Sequence, residues 1–172
     1  MTESIQSIPK RLSTNGVALF VLGILLCSAV VNANAQVELK NTIKKIHTTV
    51  DADGEIARTL VPADRVVPGD ELQYVIQFSN NGADPIDAGS IVITDLVPDH
   101  TEYVANSAYG AGTKISYSVD GETFAESQAL KVRREGEEVD ASAPDYRAIQ
   151  WAFNPGLAPG DSGYVSFNVR LK

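Results

Sequence analysis

The Gly-Asp-Ser-Gly run at residues 160–163 has the clearest potential for covalent chemistry, because its serine could act as a nucleophile. A serine nucleophile needs a histidine base that is itself oriented by an aspartate. The chain has two histidines, His47 and His100, and neither stands in a recognisable base motif. We therefore interpret the run as a Pro-Gly-Asp turn that leads into the last strand.

Asp51, Asp53 and Glu55 surround Gly54 and offer the carboxylate oxygens that a calcium ion prefers. A complete twelve-residue calcium loop would carry a bidentate acid near its end, where this chain has Pro62. A hairpin turn with solvated acids is the favoured interpretation. Calcium binding at this turn stays open at the level of sequence.

The remaining polar and aromatic residues indicate structure more than chemistry. Asp95 could bind a cation or cap a turn, and turn capping is favoured. The two histidines are too few and too far apart for a metal site. Four tyrosines are candidates for stacking on a sugar, although they are dispersed along the chain: Tyr103, Tyr109, Tyr146 and Tyr164. The sequence predicts no catalytic, cofactor-binding or metal-binding residue, and a protein that is not an enzyme.

An alternation of apolar and polar residues dominates the chain after Gln36 and predicts strands with one buried face. It recurs in residues 72–78, 115–119, 149–153 and 165–171. The apolar members are β-branched or aromatic, which suits a pleated surface that is buried on one side. Trp151, the only tryptophan, lies on the apolar side of its run and is predicted to fill the core.

Turn-forming residues separate these runs and predict repeated reversals of the chain. They are Asp53-Gly54, Pro68-Gly69-Asp70, Asn80-Asn81-Gly82, Asp120-Gly121 and Pro159-Gly160-Asp161. No stretch after residue 36 has a helical stripe of useful length. The pattern therefore predicts an all-β, antiparallel sandwich of about seven or eight strands, with a closed barrel as the alternative.

Two stretches follow the alternation less well. In residues 37–50 the apolar positions change phase between Leu39 or Ile43 and Ile46. This change predicts a bulge, a break, or a strand that pairs outside the main sheet. Residues 122–145 are polar and charged, and they predict a long hairpin carrying Leu130 and Val132, followed by a mobile loop.

Residues 1–35 have the features of an export signal that is removed rather than folded. Lys10 and Arg11 form a basic region, residues 17–31 are almost wholly apolar, and small residues follow at 33–35. Cleavage is predicted before Gln36. The apolar run is shorter than the roughly 20 residues that cross a bilayer, so only transient membrane contact is expected. Cys27 follows Leu26 rather than a small residue, which argues against a lipid anchor.

Removal of this signal would leave 137 residues, enough for one folded unit over residues 36–172. The remaining chain has 12 basic and 21 acidic residues, a formal charge of −9 compared with −8 for the whole chain. This charge repels nucleic acid. Without Cys27 the exported chain has no thiol, so a packed apolar core must hold it together.

Residues 67–82 begin Val-Pro-Gly-Asp, continue through a strand that contains Tyr74, and end in Asn-Asn-Gly. Residues 91–98 contain Thr-Asp followed by Pro98, and the final part of the chain repeats the Pro-Gly-Asp turn before Phe167. The order of these motifs over residues 66–171 resembles the DUF11 conserved-repeat domain family. The resemblance implies an immunoglobulin-like sandwich of prokaryotic surface proteins, with structural or adhesive roles and no catalysis.

These observations predict residues 1–35 as a signal peptide, 36–65 as an N-terminal strand segment and hairpin, and 66–172 as a DUF11-like sandwich. The expected function is that of a secreted or cell-envelope structural or adhesive module. One alternative is a self-assembling fibre or matrix subunit in which residues 37–50 complete a neighbour's sheet. Another is a carbohydrate-binding module. The expected partners are other envelope or extracellular proteins or further copies of the chain, without nucleic acid.

Overall fold

The alternating segments of the chain form antiparallel strands in the computed structural model, which describes residues 37–172. The predicted signal peptide, with its cleavage before Gln36 and Cys27 within it, lies outside the described residues. Two short 3-10 turns interrupt the strands, at Ser127–Ala129 and Ala143–Asp145. The strands are β1 (Val37–Val50), β2 (Ile56–Pro62), β3 (Glu71–Asn80), β4 (Ile91–Leu96), β5 (Thr101–Tyr103), β6 (Tyr109–Gly110), β7 (Thr113–Ser118), β8 (Lys131–Arg134), β9 (Glu137–Asp140), β10 (Ala148–Phe153) and β11 (Ser162–Leu171).

The strands form two packed sheets of unequal width and one separate hairpin. The larger sheet has the order β2-β1-β3-β11-β5, with β6 also paired to β11. The smaller sheet has the order β4-β10-β7, and β8 pairs with β9 alone. Every strand pair is antiparallel. The predicted fold class, an all-β antiparallel sandwich, is confirmed.

The core lies between β3 and β11 on one side and β4 and β10 on the other. Trp151 is completely buried, as predicted, and its ring packs on Phe167 with centroids 5.9 Å apart. The rings of Phe78 and Phe153 meet edge to face at 5.0 Å and join the two sheets near their other end. These ring contacts and the burial of the surrounding aliphatic side chains supply the stabilisation expected in a domain without a disulfide.

The eleven observed strands outnumber the seven or eight predicted. The additional strands are short: β5, β6, β8 and β9 have between two and four residues each. A segment of that length contains too few positions to display an alternation, so the sequence pattern gives no signal for β5 and β6 and indicates β8 and β9 only as a hairpin within the charged stretch.

The N-terminal segment forms the continuous strand β1 within the larger sheet, so the three predicted alternatives, a bulge, a break and pairing outside the main sheet, are wrong. Its register with β3 is regular from Val37 to Ile46, and its register with β2 is regular from Lys44 to Val50. The apolar phase changes because the strand extends past the end of β3, where it pairs with β2 only. Its apolar residues therefore lie on the inner face near Leu39 and on the outer face beyond Lys45.

The charged stretch of residues 122–145 contains the predicted hairpin, formed by β8 and β9. Leu130 is buried against the core immediately before β8. After the hairpin, the Asp145 carboxylate accepts hydrogen bonds from the Ser142 backbone N–H at 2.7 Å and from Arg134 Nη2 at 2.6 Å. The mobility expected of this loop stays a prediction.

Asn80, at the end of β3, is completely buried and forms hydrogen bonds with both of its side-chain polar atoms. Its Nδ2 donates to the carbonyl oxygens of Asp84 at 2.8 Å and Leu157 at 3.0 Å. Its Oδ1 accepts from the Gly82 N–H at 2.9 Å. One side chain thus joins the end of β3 to the turn that follows it and to the loop before β11.

Replacing Asn80 with alanine should lower the free energy of unfolding by roughly 2–4 kcal/mol, because three partner groups lose their hydrogen bonds in a buried site. Urea denaturation of the folded chain measures this loss. Asn81→Ala is the matched control, since Asn81 is exposed and bonds only to Glu38. Its effect should stay within about 0.5 kcal/mol. Equal losses in the two variants would contradict this role of Asn80.

Candidate interaction surfaces

The smaller sheet is narrower than the larger sheet and leaves part of it uncovered. This difference in width creates an apolar groove. Its lining includes Val37 and Leu39 of β1, Ile86, and Ile91 and Ile93 of β4, and its volume is about 270 Å³. Leu39 is paired with Phe78, a fully buried core residue, and therefore points to the same inner face. Leu39 nevertheless remains 57% exposed, because no strand of the described chain lies opposite it.

Ile43, four residues beyond Leu39 on the inner face of β1, is also 43% exposed, and we count it as part of the groove. Ile43 is paired with Tyr74 of β3. Burial raises the pKa of Tyr74, and the negative charge of Asp95 raises it further. Strand β4 borders the groove with an edge that is unpaired among the described strands. The backbone N–H and C=O groups on such an edge can pair with an additional strand.

Asp95 belongs to β4 and does not cap a turn, so that expectation from the sequence is wrong. It is paired with Ile149, a fully buried residue of β10, and this register directs it to the inner face of the small sheet. Burial raises the pKa of its carboxyl group, against the lowering effect of a 2.9 Å hydrogen bond from the Leu96 N–H. No lysine or arginine among residues 37–172 forms an ion pair with it.

The hairpin of β1 and β2 presents a second apolar surface at the opposite end of β1. Val50 pairs with Ile56, and Ile46 pairs with Leu60, so all four side chains share one face. Val50 is 64% exposed, Ile56 69% and Leu60 55%. Strand β2 pairs with β1 on one side only, so its other edge is free in the described part of the chain.

Two tyrosines form an exposed aromatic pair on the outer face of the large sheet. The rings of Tyr109 and Tyr164 are tilted by 34° with centroids 5.7 Å apart, and each side chain is about half exposed. A shallow pocket beside Tyr164 is lined by Val75 and Gln77 of the neighbouring strand. No local pattern in the sequence indicates this pairing, because the two residues are far apart in the chain.

The other two candidate sugar-binding tyrosines, Tyr103 and Tyr146, are buried. They pack around Tyr117, whose ring stacks on Tyr146 at a centroid distance of 4.6 Å. Burial raises the pKa of the Tyr117 hydroxyl, and its 3.4 Å hydrogen bond with Tyr103 raises it further. Tyr117 therefore stays un-ionised near neutral pH, and all three rings contribute to packing.

The structure places both histidines far from Ser162. Ser162 is in register with Glu38 of β1 through β3, and His47 lies nine residues further along β1, roughly 30 Å away. The carbonyl oxygen of His100 accepts a hydrogen bond from the Lys172 N–H, at the opposite end of β11 from Ser162. This geometry brings no histidine base to the serine.

The acids around Gly54 form a hairpin turn. Asp51 Oδ1 accepts hydrogen bonds from the backbone N–H groups of Asp53 at 3.0 Å and Glu55 at 2.8 Å. Gly54 adopts a positive φ of 82°, a conformation that favours glycine. The Asp51 carboxylate thus already accepts hydrogen bonds from backbone N–H groups of its own turn. The residues that the structure describes contain no group of three or more metal-binding side chains.

Comparisons with known proteins leave the resemblance to the DUF11 family as an expectation. No family model matches the chain, and neither a curated protein nor a solved structure shows significant similarity to it. Within residues 37–172, no helix is long and apolar enough to cross a membrane.

Ser162 of the Gly-Asp-Ser-Gly run and the glycine that follows it have different surroundings. A Cβ atom at Gly163 would overlap the ring of Phe78, whereas Ser162 is exposed. Gly163→Ala should therefore lower the free energy of unfolding by about 1–3 kcal/mol. Ser162→Ala, the control, should change it by less than about 0.5 kcal/mol. Thermal and urea unfolding measure both effects, and a larger loss from Ser162→Ala would refute this interpretation.

Proposed function

We propose that this protein is a structural or adhesive module of the cell envelope or cell exterior that binds other proteins and performs no catalysis. The observation that carries the proposal is the exposure of large aliphatic side chains beside the two unpaired strand edges, those of β4 and β2. These side chains are Leu39 and Ile43 in the groove and Val50, Ile56 and Leu60 on the hairpin.

Exposed apolar side chains on free strand edges favour association, because they combine unpaired backbone groups with surface that gains free energy on leaving water. Monomeric proteins usually protect such edges with charges, prolines or a covering loop. Here the apolar rows remain uncovered in the described chain, which is the property expected of a surface that meets a partner.

The export signal expected in residues 1–35 supports an extracytoplasmic location for these contacts. The formal charge of −8 supports a protein partner over nucleic acid, whose phosphates would be repelled. The motif order that resembles the DUF11 family points in the same direction, towards surface proteins.

Expression of the full chain with a C-terminal epitope tag tests the location. We expect the protein in the envelope or medium, with an intact mass that corresponds to a chain beginning at Gln36. Arg11→Glu combined with Lys10→Glu is the processing control, because loss of the basic region should retain the longer form in the cytoplasm. Recovery of the unprocessed wild-type chain in the cytoplasm would remove the basis of the proposal.

Carbohydrate binding is the second candidate, and the exposed pair of Tyr109 and Tyr164 favours it. Aromatic rings on a flat sheet face can stack on the apolar face of a sugar, and Gln77 beside them could hydrogen-bond its hydroxyl groups. Binding on a glycan array should be lost in Tyr109→Ala and Tyr164→Ala and kept in Leu96→Ala, whose exposed side chain lies on the other sheet. Absence of binding by the wild-type protein would exclude this candidate.

A further inference from the structure

We infer that copies of this chain assemble head to tail, with the β1–β2 hairpin of one copy occupying the apolar groove of the next. The inference rests on the proposed function and names the partner as a second copy. It follows from the position, length, side-chain spacing and charge of the two surfaces.

The groove and the apolar tip of the hairpin lie at opposite ends of β1. Val37 and Val50 are thirteen residues apart, which corresponds to roughly 43 Å along an extended strand. A contact that joins two different surfaces of identical copies is heterologous, so each added copy presents a new free groove or a new free hairpin. Such a contact produces a chain of copies if successive rotations do not close it into a ring.

The dimensions of the two surfaces match. Strand β4, which borders the groove, has six residues, and β2, which forms the free edge of the hairpin, has seven. Antiparallel or parallel pairing of β2 with β4 would satisfy backbone groups on both free edges and extend the small sheet over the uncovered part of the large one.

The spacing of the apolar side chains also matches. Leu39 and Ile43 are four residues apart on one face of β1, and Ile56 and Leu60 are four residues apart on one face of β2. A strand placed on the free edge of β4 directs every second side chain towards the inner face of the large sheet. Ile56 and Leu60 of one copy can therefore cover Leu39 and Ile43 of the next.

The charges on the two surfaces are complementary. Residues 87–99, which contain β4, include Asp87, Asp95 and Asp99 and no lysine or arginine. The paired segments of the hairpin, residues 44–50 and 56–62, carry three cationic residues and no acid. Two of these cations pair within their own chain, Lys45 with Asp70 and Arg58 with Glu71.

Lys44 forms no ion pair among the described residues, so it is the cation available to the aspartates of the next copy. The loop at the tip of the hairpin is acidic, with Asp51, Asp53 and Glu55. We therefore expect the hairpin to lie along β4 and to extend its tip beyond the aspartates, since a tip that pointed at them would be repelled.

Two double variants test the arrangement. Ile56→Lys with Leu60→Lys disables the hairpin, and Leu39→Lys with Ile43→Lys disables the groove. Val66→Lys with Val67→Lys is the matched control, because it adds the same charge at two exposed apolar side chains that belong to neither the groove nor the hairpin. The full chain is expressed, each protein is purified from the compartment where it accumulates, and its mass distribution is measured by sedimentation velocity.

We expect the wild-type and control proteins to form a series of oligomers that grows with concentration, and each disabled variant to remain monomeric. An equimolar mixture of the two disabled variants should form dimers and nothing longer, because it contains one intact hairpin type and one intact groove type. In a two-fold symmetric interface each copy contributes both its hairpin and its groove to the contact. A variant with either surface disabled could not form that interface, so the mixture would contain no dimer. Near-ultraviolet circular dichroism verifies that every variant keeps its packed aromatic core.

Assembly by either disabled variant alone, or a mixture that stays monomeric, would overturn the inference. A wild-type protein that is monomeric at its highest soluble concentration, yet is retained in the envelope by other proteins, would also overturn it while the proposed function stands. A monomeric protein found unprocessed in the cytoplasm would contradict both.

Discussion

The burial of Trp151, Phe78 and Phe167 between two sheets of unequal width is the constraint on which the rest of the structure depends. The chain has no cysteine after residue 27, so the stability of the sandwich must come from this apolar packing. Trp151 fills the centre of the three-stranded sheet and needs a wide, well-packed surface opposite it, which β3 and β11 supply. Once the two sheets are centred on this contact, β1 extends beyond the edge of the smaller sheet.

The uncovered position of β1 leaves two apolar surfaces exposed to water in the described chain. Leu39 has the same orientation as the buried Phe78 beside it, yet it stays in contact with water because the small sheet ends at β4. The length of β1 has a second consequence, since the strand continues past β3 and carries β2 away from the core. A groove and a projecting hairpin thus arise from the same long edge strand, and both are free of any covering element in the described chain.

The residues whose types suggest catalysis, calcium binding or sugar binding make structural contacts at three places in the fold. The Asp51 carboxylate holds its own hairpin turn, and the Gly-Asp-Ser-Gly run begins β11, where Gly163 leaves space for the ring of Phe78. Tyr103 and Tyr146 join Tyr117 in a buried cluster. In each case the same residue types that suggest chemistry also satisfy backbone groups or fill space, and only their surroundings distinguish the two roles.

The sequence by itself determined the long strands, the turns between them, the all-β class and the burial of Trp151, because alternation and turn chemistry are local properties of the chain. It also located the change of phase in residues 37–50, although a bulge or break was among the expected causes. Only the tertiary structure decided that β1 is continuous, that Tyr109 meets Tyr164, that Asp95 faces inward, and that β4 and β2 have free edges. These features depend on how residues far apart in the sequence pack and on the relative widths of the sheets, which no local pattern of apolar residues records.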